Sequence, residues 1–130
     1  MARRYLPQPF PVRGVLDPPI MQPDPSWNPR IDLYRSPQAQ CRPFQYHNAA
    51  IWPWVGGFYV ASLVKAGQPA LAQKELESLA LSNRAGRDNE WEFNEWLHGR
   101  TGVPMGATLQ SWSASGYIVA YKAVTEGVLP

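Results

Sequence analysis

The sequence has little that would permit metal, disulfide or phosphate chemistry. It holds one cysteine, Cys41, so no intrachain disulfide can form. Its two histidines, His47 and His98, stand alone, without the paired spacing that zinc ligands need. There is no glycine loop of the phosphate-cradling kind and no serine or cysteine nucleophile motif. Taken together these absences call for no cofactor. Neither sign of charge dominates: twelve basic and ten acidic residues give a net +2, and the basic residues are scattered, which leaves no footprint for nucleic acid. Long hydrophobic runs are missing as well. The longest, Trp52 to Val64, contains Pro53, Gly56 and Gly57 and falls well short of the roughly 20 residues that span a bilayer. The two N-terminal arginines are followed by Pro7, Pro9 and Pro11 instead of an apolar signal core. A soluble protein of a reducing, cytoplasmic compartment, off the membrane, is the expectation.

What the chain has instead is proline and aromatic rings: 14 Pro, six Trp, six Tyr and four Phe in 130 residues. Ten of the prolines fall in the first 50 positions, so the sequence divides near His47. Residues 1–46 read as an extended, proline-rich strap, with at most a short turn at Ile31 to Tyr34, because proline removes amide donors and biases its predecessor toward extended backbone. The apolar residues Tyr5, Phe10, Ile20, Trp27, Leu33 and Phe44 suit a strap laid across a larger body.

Residues 47–130 read as helical hairpins. Pro53 suits a first helical position and Gly67 with Pro69 a stop, which predicts a helix over 53–65 that is apolar nearly all round. A second helix over 69–83 is amphipathic: Ala72, Leu76, Leu79, Ala80 and Asn83 form one stripe while Gln73, Lys74, Glu75, Glu77 and Ser78 face away. A third, over 109–125, is again nearly all apolar and closes at Gly127. Inner, outer, inner is the order of stacked hairpins in a helical toroid. The two apolar helices require partners beyond these three, from further chain or from a second polypeptide or copy.

Chemistry concentrates in three stretches. In "EWEFNEWLHGRTG", Glu95 lies among Trp91, Phe93 and Trp96, surroundings in which a carboxylate can act as a general base beside a stacked sugar ring. The competing reading makes Glu90 and Glu92 solvated acids, Glu95 a cap or a partner of an arginine such as Arg100, and His98 a turn residue beside Gly99. In "QYHNAAIWPWVGG", His47 and Asn48 precede a helix and can reach sugar hydroxyls, with Trp52 and Trp54 as a platform; equally, His47 can cap the helix and the tryptophans can be packing. In "LQSWSASGY", Gln110 and Trp112 open the last helix on the same rim, or serve as packing beside a cap at Ser111.

In order and spacing these stretches, with the approach "LDPPIMQPDPSWNPRIDLYR", resemble the C-terminal part of the alkaline/neutral invertase family. They are also similar to related amylo-alpha-1,6-glucosidases among the six-hairpin (α/α)6 glycosidases. The resemblance covers about residues 15–124. It implies an all-α fold, the C-terminal part of an (α/α)6 toroid, and an inverting hydrolase of sucrose-like or α-glucosidic substrates. Such an enzyme pairs an aspartic general acid with a glutamate general base about 6.5 to 9.5 Å away. "EWLHG" followed by "QSWS" puts the base at Glu95. His47, Asn48, Trp52, Trp54, Trp96, Gln110 and Trp112 then line the ring site.

Two departures accompany the resemblance. No segment resembles the family's acid motif: Asp17, Asp24 and Asp32 are elsewhere, and Asp24 in "QPDPSW" reads as a loop turn. The chain thus reads as the last portion of a larger barrel, with a non-catalytic carbohydrate-binding or assembly fragment as the alternative. Ala49 and Ala50 also stand where relatives often carry a glycine pair, a change expected to narrow that part of the pocket.

Overall fold

The computed structural model describes residues 18–28 and 41–130. Three helices carry the fold: α1 (Pro53–Lys65), α2 (Pro69–Arg84) and α3 (Ser111–Glu126). Proline occupies the first turns of α1 and α2, where a missing N–H costs nothing, and α3 ends on Gly127 at φ 69. The expected helices are present with their ends shifted slightly. α2 runs one residue further, to Arg84. α3 starts two residues later than expected, because Leu109 sits in the left-handed region (φ 56) and cannot be part of a helix. The sequence reading had no strands. Between α2 and α3 the chain forms a small antiparallel hairpin, β1 (Trp96–Leu97) paired with β2 (Pro104–Met105), and Ile51 bridges to Leu97.

The helices share a core of Val60, Leu63, Ala72, Leu76, Leu79 and Ala120. α1 and α3 pack closest, backbone against backbone. A methyl group at Gly116 would sit 2.7 Å from Trp54 Cα, and one at Gly57 would overlap the Gly116 carbonyl. The amphipathic pattern of α2 needs one correction. Glu75 and Ser78, expected to face outward, are buried, as are Ser82 and Asn83. The buried stripe is wider than its apolar members because short polar side chains donate to the preceding turn: Ser78 Oγ to the Lys74 carbonyl (3.2 Å), Ser82 Oγ to Ser78 (3.0 Å) and Asn83 Nδ2 to Leu79 (3.1 Å), with Asn83 Oδ1 left without a partner among the described residues.

The apolar faces of α1 and α3 are only partly covered. Trp54, Phe58, Trp112, Ile118 and Tyr121 remain exposed, Phe58 and Ile118 by half. Of the expected strap over 1–46, the turn at 31–34 and the acids Asp17 and Asp32 lie outside the described residues. In the described part, buried Asn48 accepts from the Ile20 N–H (2.7 Å) and donates to the carbonyls of Ile20 (2.8 Å) and Cys41 (3.0 Å), and nearer the end of the strap the Phe44 carbonyl accepts from the Gly99 N–H (2.8 Å) and the Tyr46 carbonyl from the Trp52 indole (2.9 Å). Asp24 forms the expected turn, its Oδ1 accepting from the Ser26 N–H at 2.8 Å. No helix of the described residues is long and apolar enough to cross a membrane.

Candidate functional site

The stretch before α1, the Glu95 loop and the first turns of α1 and α3 converge on one cleft of about 400 Å³, lined by Tyr46, His47, Trp52, Trp54, Glu95 and Trp112. Its walls are aromatic. His47 stacks nearly parallel on Trp52, with ring centroids 5.6 Å apart and planes at 9°, and Tyr46 packs 5.1 Å from Trp52. The Trp52 indole N–H donates to the Tyr46 carbonyl (2.9 Å), which locks that ring to the backbone it packs against. Trp54 and Trp112, on the first turns of α1 and α3, keep 38% and 47% of their surface exposed, enough to present ring faces to a ligand.

Among the described residues Glu95 is the one carboxylate on this lining. It lies immediately before β1. Its own N–H donates to the Ala107 carbonyl (2.8 Å), and its Oε2 accepts from the Ala107 N–H (3.1 Å). Gly106, at φ 70, makes this possible: a methyl group there would stand 2.5 Å from Glu95 Oε2 and 2.7 Å from Trp96 Nε1. Glu95 thus caps the turn at Ala107, one of its expected places, while it also lies on the cleft lining.

Of the eight residues singled out from sequence, Glu95, His47, Trp52, Trp54 and Trp112 come together on the cleft. Three do not line it. Asn48 is buried and its side chain is committed to Ile20 and Cys41. Trp96 is 1% exposed and packs in a second core cluster with Ala50 and Trp52; its Nε1 has no hydrogen-bond partner among the described residues. Gln110 serves the start of α3 through its backbone, its N–H donating to the Phe93 carbonyl (2.9 Å) and its carbonyl accepting from Ala114 (3.2 Å). Tyr46 lines the cleft and was missed, although a tyrosine directly before His47 in "QYHNAA" was available as a signal. Ala49 and Ala50 are fully buried and are not themselves on the lining; Ala50 packs behind Trp52. Ala49 instead takes φ 67, a conformation that suits glycine.

The neighbouring acids take distinct roles. Glu90 is the solvated one: it is exposed, and its Oε1 pairs with Arg84 at 2.6 Å, a hydrogen bond that holds its carboxyl below the usual range. Glu92 is not solvated. It is buried and accepts three backbone N–H bonds, from Arg87 (2.8 Å), Asp88 (2.9 Å) and Asn89 (2.8 Å), which hold its carboxyl below the ordinary range against the opposing effect of desolvation. His98 is a turn residue, as expected. Its Nδ1 accepts from the N–H groups of Arg100 (3.3 Å) and Thr101 (3.4 Å), and burial, with Arg100 nearby, pushes its pKa down. Arg100 itself lies over the Phe44 ring, 4.6 Å from the centroid, away from Glu95. Among the described residues no three His, Cys, Asp or Glu side chains gather as a metal site.

Comparison with known proteins gives one consistent result. Alkaline/neutral invertase CINV2 of Arabidopsis thaliana is 30% identical over 77 residues, 59% of this chain and 13% of that protein. Alkaline/neutral invertase E, chloroplastic, from the same plant is 30% identical over 79 residues, 60% of this chain and 12% of its own length. Cytosolic invertase 1 of Oryza sativa subsp. japonica matches at 30% over 78 residues, 59% of this chain and 13% of its length. The matched stretch is thus a small part of each relative. The sequence profile of alkaline and neutral invertases covers residues 33–127, which take in the cleft, the Glu95 loop and all three helices, and the chain belongs to that family.

Proposed function

We propose that this chain carries the general-base side of an inverting glycoside hydrolase site, with Glu95 activating the water that attacks a sucrose-like or α-glucosidic anomeric carbon. The observation that carries the reading is that Glu95, alone among the described residues, brings a carboxylate to an aromatic-walled cleft of about 400 Å³, a volume suited to one or two sugar rings. Tyr46, His47, Trp52, Trp54 and Trp112 supply apolar ring faces for the sugar. The Ala107 N–H fixes one carboxylate oxygen, which leaves the other to take a proton from water. No second carboxylate lines the cleft among the described residues, so the general acid comes from elsewhere in the assembled enzyme. A second polypeptide or copy laid against the exposed faces of α1 and α3 is the partner that would complete the site. A cytoplasmic location accompanies this reading; the rice relative is named a cytosolic invertase, the Arabidopsis E form a chloroplastic one.

The missing acid suggests the test. A glycosyl fluoride needs no proton on its leaving group, so the base alone suffices to turn it over. Fluoride release from α-D-glucosyl fluoride, with inversion at the anomeric carbon, is expected from the chain. Glu95→Gln should lower the rate by about 10²-fold or more. An unchanged rate in that variant removes Glu95 as the base. Because only one carboxylate of the described residues lines the cleft, a second reading stands beside the first, a carbohydrate-binding fragment; sugar-dependent quenching of tryptophan fluorescence without fluoride release would select it. Sucrose and an isomaltose-type disaccharide, compared in the same binding titration, separate the two linkage classes.

A further inference from the structure

We infer that Arg87 is a positioning residue for Glu95, acting through the single peptide unit that joins Gly106 to Ala107. This deepens the assignment of Glu95 and rests on it.

The carbonyl of Gly106 and the N–H of Ala107 belong to one planar unit and point in opposite directions. The Arg87 guanidinium donates to the Gly106 carbonyl on one side. On the other, the Ala107 N–H donates to Glu95 Oε2 at 3.1 Å. Orienting the first bond therefore orients the second. There is no slack between the peptide and the carboxylate, since Glu95 Oε2 occupies the space a side chain at Gly106 would fill. A rotation of that peptide would take the donor away from the carboxylate and turn a carbonyl oxygen toward it.

Arg87 is in turn held at both ends. Its backbone N–H is bonded to Glu92 Oε2 (2.8 Å), whose carboxylate also gathers the N–H groups of Asp88 and Asn89. The same guanidinium nitrogen that reaches Gly106 also donates to Asn94 Oδ1 (3.2 Å), and Asn94, fully buried, is anchored through Nδ2 to the Ala85 carbonyl (2.9 Å). The link runs from Glu92 to the 87–89 turn, through the Arg87 side chain to the 106–107 peptide, and ends on Glu95. Arg87 itself does not line the cleft. Its loss should therefore leave sugar binding alone and act on turnover.

The test compares Arg87→Met, Arg87→Lys and Glu95→Gln in the full chain by two readouts, amide hydrogen exchange at Ala107 and the kinetics of glucosyl fluoride hydrolysis. Arg87→Met is expected to speed Ala107 exchange about tenfold, and to lower kcat about tenfold with KM within twofold of the parent. Arg87→Lys, which can still donate to the Gly106 carbonyl, should recover a part of both. An Ala107 amide that exchanges at the parental rate in Arg87→Met overturns the proposal, as does a rise in KM with kcat unchanged. The two assignments fail separately. If Glu95→Gln hydrolyses normally, or no chain releases fluoride, the general base is wrong, and the Arg87 link is still decided by the exchange of Ala107. If Arg87→Met does not fold, Arg87→Gln, a polar side chain shorter than the guanidinium arm, supplies that measurement, and parental Ala107 exchange in it overturns the proposal.

Discussion

Asn48 shows how one residue type can be read correctly as polar and needed while its task lies elsewhere. An amide just ahead of a helix beside a tryptophan platform looks like a sugar ligand, but here it uses an acceptor and both donors on the backbone of Ile20 and Cys41. It ties the segment at 18–28 to the helical half, while the Phe44 and Tyr46 carbonyls, accepting from the Gly99 N–H and the Trp52 indole, hold the end of the proline-rich half. Removing it leaves one N–H and two carbonyls short of partners in a buried place. Asn48→Ala should then destabilise the fold by about 3 kcal/mol, from roughly 1 kcal/mol per lost bond with the cost of unpaired groups. Urea unfolding followed by tryptophan fluorescence measures this. A change below about 0.5 kcal/mol would mean that the segment at 18–28 is held by something else. Tyr46 is the converse case, a ring on the cleft whose place depends on a left-handed backbone (φ 45) that hydrophobic pattern does not reveal.

At the scale of elements, the decisive contact is the backbone approach of α1 to α3, because it sets Trp54 and Trp112 on the same rim. Gly57 and Gly116 allow it. Gly116→Ala places a methyl group 2.7 Å from Trp54 Cα, a contact that only separation of the helices relieves, and should cost about 3 kcal/mol. It should also weaken sugar binding, since the two tryptophans move apart; a lower melting temperature with unchanged sugar affinity would detach the rim from this crossing. The helices were readable because their ends are marked by Pro53, Gly67 with Pro69, and Gly127, and because their apolar residues recur at helical spacing. The hairpin of β1 and β2 was not, for strands of two residues have no period to detect. Glu95 was legible through its place between "FN" and the "QSWS" that opens α3. Arg87 was not: its reach to Gly106 crosses 19 positions of sequence, and nothing local to "GRDNE" points there. The burial of Glu92 did have a local sign, a carboxylate three residues after Asn89 at the end of a turn, which is the spacing by which side chains satisfy free N–H groups.

Across the whole molecule, two groups, with the exposed Arg84–Glu90 pair as a solvent-screened addition at the acid end, make acid stability a property of the loop that carries Glu95. His98 has its pKa lowered by burial, so the unfolded chain takes up a proton at this site before the folded one does. Its contribution is full above the ordinary value of 6.5 and declines as pH falls through and below it. Glu92 has a folded pKa below the ordinary 4.5, so its contribution is present above 4.5 and is lost as pH drops toward the folded value. Both act in the same direction, and the melting temperature should fall in two steps on acidification, one beginning near pH 6.5 and one near 4.5. His98→Asn keeps an acceptor for the N–H groups of Arg100 and Thr101 and cannot titrate, so it should flatten the upper step alone. Glu92→Gln should flatten the lower step and lower stability at neutral pH, because the carboxylate that gathers three N–H groups becomes a neutral amide. Melting curves from about pH 2 to 8 on the parent and both variants decide it: an upper step that persists in His98→Asn assigns that titration to another group, and a lower step that persists in Glu92→Gln does the same for the carboxylate. Since Glu92 anchors the turn from which Arg87 reaches the 106–107 peptide, the lower step should also coincide with faster exchange at Ala107, a link between fold stability and the candidate base that neither residue shows when considered alone.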